Sequence, residues 1–73
     1  MHQHYIFKLI EKERKRQDLL HPNQEGKSDY EMCPILIEEV GEVCKAILEG
    51  TNLEEELIHV ASVCVRWLEM KER

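Results

Sequence analysis

Glu39 has the wrong neighbours for a surface carboxylate. The stretch from about Ile35 to Leu48 reads as a helix. At roughly 100° per residue, Glu39 falls between Ile35 and Ala46 on one side and Val43 and Leu36 on the other. Glu42, one turn on, lies at the border of the same apolar arc. A carboxylate turned toward a core is costly unless a positive partner meets it. Several converging carboxylates find that partner most economically in a hard divalent cation. The segment Ile37-Glu38-Glu39-Val40-Gly41-Glu42-Val43 therefore reads as half of a metal site. Glu39 with Glu42, and Glu38 with Glu42, have the spacing to address one point from one helix face. Glu38 has an equally good alternative, a solvated acidic stripe with Glu49 that Lys45 relieves.

Glu56 is the next candidate. It opens the following helix and projects toward Val60, Val63 and Trp67, away from Glu55. Glu54 and Glu55 are explained by the helix dipole, which favours acids in a first turn. Glu56, at the edge of an apolar face, is better explained as a ligand facing the Glu39 helix. His59 follows three residues on. Its plain reading is a residue on a polar stripe with Ser62 and Arg66. A third constellation is Glu13-Arg14-Lys15-Arg16-Gln17. Glu13 and Gln17 project into the apolar arc of the first helix, between Ile6 and Leu20, and buried polar groups need partners. A ligand or an internal hydrogen bond satisfies them equally well. Arg14, Lys15 and Arg16 read as a solvated face from which one cation can reach a phosphate.

Three helices must position these residues, and no segment reads as a strand. The first runs from about Gln3 to Leu20 and is stopped by His21-Pro22-Asn23. Residues 21–27 read as a loop. Ser28 to Glu31 has capping-box spacing for the second helix, with Pro34 predicting a separate or kinked first turn. Gly50 ends that helix, and Thr51 or Asn52 starts a third that reaches about Lys71.

A chain of 73 residues makes one domain with a small core. From Leu57 to Leu68, nine of twelve residues are apolar, interrupted only by His59, Ser62 and Arg66. Two partner helices do not easily cover so broad a face, which predicts a homodimer or tetramer that completes a helical bundle. Cys33, Cys44 and Cys64 have neither CxxC spacing nor an even count, so neither a zinc knuckle nor a disulfide framework is expected. Cys44 and Cys64 are expected in the core, and the compartment is expected to be the reducing cytoplasm. The net charge of −5 argues against nucleic acid as a partner. The lack of a long apolar run argues against a membrane.

The strings Glu38-Glu39-Val40-Gly41-Glu42-Val43 and Glu56-Leu57-Ile58-His59-Val60-Ala61 resemble the MazG-like family of all-α nucleoside triphosphate pyrophosphohydrolases. That family carries EExxE on one helix and ExxD on the next. Glu13-Arg14-Lys15-Arg16-Gln17 is similar to the ERxRQ opening of a small phage-associated subgroup. The resemblance covers residues 13–68. It implies an all-α, three-helix chain that homodimerises and cleaves NTP to NMP and pyrophosphate with Mg²⁺, or with Mn²⁺. It implies Glu39, Glu42 and Glu56 as metal ligands, Glu38 as the group that orients or deprotonates water, and Glu13, Arg16 and Gln17 near the substrate. The chain is short for that family, so a further helix is expected either to be missing or to come from a neighbour. His59 stands where the pattern has Asp. Three consequences stay open: a metal that accepts imidazole, three glutamates that suffice, or a relative that binds nucleotide without cleaving it. A structural helical dimer is the alternative from a different class.

Overall fold

The computed structural model describes residues 1–22 and 26–71. Among them the chain is all-helical, with α1 at Gln3–Leu20, α2 at Asp29–Glu49 and α3 at Leu53–Lys71, and no strand. The expected loop at 21–27 and the stop at Asn23 fall partly outside the described residues.

Each helix boundary has a local cause. The Nδ1 of His2 accepts from the backbone N–H of His4, and the N–H of His21 closes α1 on the carbonyl of Gln17. The capping box of α2 is complete. Glu31 donates its N–H to the Ser28 hydroxyl at 3.2 Å, and Ser28 donates its N–H to the Glu31 carboxylate at 3.0 Å. Neither a break nor a separate turn occurs at Pro34, since α2 runs through it. The proline lacks the N–H that would otherwise meet the carbonyl of Tyr30, and the helix continues past it. Gly50, left-handed at φ 69°, donates back to the carbonyl of Ala46, and α3 begins after Asn52.

That short turn makes α2 and α3 an antiparallel hairpin. Their ends are tied where Asp29 accepts from Trp67 Nε1 at 2.7 Å and from Lys71 at 2.9 Å. α1 lies along the other flank of α3, and α1 and α2 do not pack on one another. The core between these layers is small. Met32 and Ser62 are fully buried, and Val63 and Ala46 nearly so. Ser62 satisfies its hydroxyl by donating to the carbonyl of Ile58 at 2.7 Å.

Two expectations change, at Cys44 and at Arg14. α1 and α2 both pack on α3, yet most of its apolar side chains stay half-buried, and Leu53, Leu57 and Leu68 are exposed. α2 also carries an exposed apolar side, where Ile37, Val40, Ile47 and Leu48 lie together. Cys44 belongs to that side and is exposed, while Cys64 is half-buried. Arg14 is buried rather than solvated. It donates to Glu69 of α3 and to Gln17 and Asp18 of its own helix, which fastens α1 to α3. No described helix is long and apolar enough to cross a membrane.

Candidate metal centre

The inward stripe of α3 sets the site. His59, Ser62 and Arg66 interrupt its apolar face, and the packing turns them toward the gap between α1 and α2 rather than to solvent. The gap is a cleft of about 420 Å³. α1 contributes Glu13, Arg16 and Gln17, α2 contributes Ile35, Glu38 and Glu39, and α3 contributes His59, Val63 and Arg66.

His59 stands at the meeting point of three helices. Its Nδ1 is 3.5 Å from Oε2 of Glu56 and 4.0 Å from Oε2 of Glu39. Its Nε2 is 3.8 Å from Oε2 of Glu13 and 4.0 Å from Oε1 of Glu55. One donor atom from each of Glu39, Glu56 and His59 lies within 4.8 Å of the other two. All three residues are half-buried. An ion bound at about 2.1 Å holds adjacent donor atoms about 3 Å apart, so modest side-chain rotations close the set. Two carboxylates and an imidazole fit a divalent cation in donor number and charge.

The electrostatics match that geometry. Burial pushes the Glu39 carboxyl above its ordinary value of 4.5; Glu56, Glu38 and Glu42 push the same way, against the pull of His59. Glu13 moves oppositely. The hydrogen bonds from Arg16, at 2.8 and 3.0 Å, hold its carboxyl below the ordinary value despite burial.

Of the residues singled out in the sequence, Glu13, Arg16, Gln17, Glu38, Glu39 and His59 line this cleft. Glu56 joins through His59. The structure does not bring Glu42 into the set. Glu42 is exposed, and the helix turn that aims Glu39 at α3 carries Glu42 toward the solvated side with Glu38 and Glu49. Glu55 and Arg66 belong near the site and were not singled out. The i, i+3, i+7 spacing of His59, Ser62 and Arg66 carried that signal, but its direction depended on where α1 and α2 pack.

A scan against protein-family models finds no match, and neither does comparison with curated proteins or with solved structures. The likeness to the MazG-like pattern rests on the motif residues alone.

Proposed function

We propose that this chain is a divalent-cation-dependent nucleoside triphosphate pyrophosphohydrolase of the MazG-like kind, converting NTP and water to NMP and pyrophosphate. The observation that supports this reading is the convergence of Glu39, Glu56 and His59, from two helices, beside a cleft that also holds Arg16 and Arg66. Acids that share a half-buried point, beside two arginines lining the same cleft, suit a polyphosphate held through a metal ion.

In this reading Glu39, Glu56 and His59 hold Mg²⁺ or Mn²⁺, with Glu42 at most an outer contributor. The bound ion would supply charge neutralisation on the phosphate oxygens. Arg16 and Arg66 orient the phosphates from α1 and α3. Glu38, at the cleft edge, accepts a proton from the attacking water. The water oxygen bonds to phosphorus, the bridging bond between the α and β phosphates breaks, and pyrophosphate leaves. The exposed side of α2 around Ile37, Val40, Ile47 and Leu48 is then the surface on which a second copy packs, and the cytoplasm is the compartment.

A second reading follows from His59 at the position where the pattern has Asp: a relative that binds metal and nucleotide without turnover. Pyrophosphate release across the common ribo- and deoxynucleoside triphosphates, with Mg²⁺ and with Mn²⁺, separates the two. Turnover with at least one substrate, lost in Glu39→Gln, is expected. No turnover, with a metal-dependent rise in melting temperature that Glu39→Gln removes, favours the second reading. If Glu39→Leu stabilises the fold equally with and without metal, both give way to a structural helical dimer.

A further inference from the structure

The two nitrogens of His59 face different carboxylates, and on the Nε2 side only one of the two is fixed. Nδ1 looks toward Glu56 and Glu39, and Nε2 looks toward Glu13 and Glu55. A neutral imidazole has one N–H and one lone pair, so whichever nitrogen gives its hydrogen to a carboxylate leaves the other free to bind a metal. Glu55 is two-thirds exposed and free to swing. Glu13 is not. Its side chain is only 11% exposed, Arg16 clamps both of its oxygens, and Gln17 donates to Oε2 at 3.3 Å.

Resting on the metal-centre reading above, we infer that Glu13 is a positioning residue for His59. It draws the ring N–H to Nε2 and leaves the Nδ1 lone pair aimed at Glu39 and Glu56. The centre is then a mixed oxygen and nitrogen site that selects a first-row transition dication, Mn²⁺ or Co²⁺, over Mg²⁺. Mg²⁺ favours oxygen donors, whereas affinity for an imidazole-containing site rises along the transition series. Glu13 sits on α1, outside the α2–α3 pair that carries the donors. Its Oε2 stands 3.8 Å from Nε2 of His59, and the inferred hydrogen bond requires the ring to close that gap by rotation.

The test uses the intact chain loaded with Mn²⁺, Co²⁺ or Mg²⁺. Pulsed EPR of the Mn²⁺ form is expected to show ¹⁴N coupling from a directly bound imidazole, lost in His59→Asp. Calorimetric titration is expected to show Mn²⁺ and Co²⁺ binding more tightly than Mg²⁺, with the preference collapsing in His59→Asp. Glu13→Gln is expected to weaken Mn²⁺ binding by about tenfold in the wild-type background and to have no effect when His59→Asp is already present. An equal loss in both backgrounds makes Glu13 a structural residue and overturns the inference. So does Mn²⁺ bound without ¹⁴N coupling, or Mg²⁺ bound as tightly as Mn²⁺; in either case the metal centre itself stands. If none of the three ions binds, the metal centre falls and this inference falls with it.

Discussion

Arg14 on α1 and Glu69 on α3 are 55 positions apart in sequence and joined by a hydrogen bond of 3.0 Å from Nε to Oε1. A second hydrogen bond, from Nη2, reaches the same Oε1, so two arms of the guanidinium fork close on one carboxylate oxygen. Burial alone lowers the Arg14 pKa, but the hydrogen bonds and charges of Glu69 and Asp18 outweigh it and hold the group above its ordinary value. Because α1 touches α3 and not α2, this fork is a principal tie of α1 to the rest of the chain. Arg14→Ala is expected to lose about 1–2 kcal/mol in urea unfolding, a figure reduced because Glu69 is half-exposed and regains water. Arg14→Lys is expected to recover only part of that, since an ammonium cannot reproduce the fork. A loss under 0.5 kcal/mol, about the size of an ordinary surface change, would show that apolar packing holds α1 by itself.

Glu39 gives the opposite sign. Its carboxyl is raised in the folded chain, mainly by burial, so the folded state holds its proton more tightly than the unfolded state does. Its contribution to stability is therefore greatest while it is protonated. That contribution falls as pH rises through 4.5 and on through its raised folded value. Without metal, Glu39→Gln is expected to be more stable than wild type at pH 7, by roughly 0.5–1 kcal/mol from removed like-charge contacts. With Mn²⁺ the order reverses, because only the wild type gains from binding. Thermal melts from pH 4 to 8, with and without the ion, check both halves. A metal-free variant less stable than wild type throughout would refute the strain assigned to this carboxylate.

Asp29 provides an optical handle on the α2–α3 hairpin. The indole N–H of Trp67, and then Lys71, hold its carboxyl below the ordinary value of 3.8. A depressed carboxyl stabilises the fold above its unfolded pKa, and that support is lost as pH falls through the folded value. Trp67 is the single tryptophan, so its emission reports this hydrogen bond directly. An emission change with a midpoint below 3.8, absent in Asp29→Asn, is expected. A midpoint at or above the ordinary value would contradict the assigned partnership.

The exposed side of α2 bears on assembly. Ile47→Lys, with Ile37→Lys as a second variant, is expected to convert an associating chain to monomer in sedimentation analysis while leaving helix content intact. Wild-type protein that sediments as a monomer at micromolar concentration would end the dimer reading.

Much of the local order was legible in the residues. Helical period and stop signals placed all three helices within a residue or two, because those signals act over one turn. The same period showed that Glu13 and Glu39 point inward, since a helix fixes which of its own residues share a side. Period cannot say which side meets which partner. The stripe of His59, Ser62 and Arg66 is polar, and polarity alone predicts solvent. The packing of α1 and α2 on opposite flanks of α3 turned it into the floor of a cleft. That same packing buried Arg14, left Glu42 in water and uncovered Cys44. Nothing within a single turn encodes the distance from Glu13 to His59, because it depends on where one helix lies against another. The sequence therefore determined the inward acids, and the tertiary arrangement decided which of them meet, because side-chain direction is a property of one helix and convergence is a property of three.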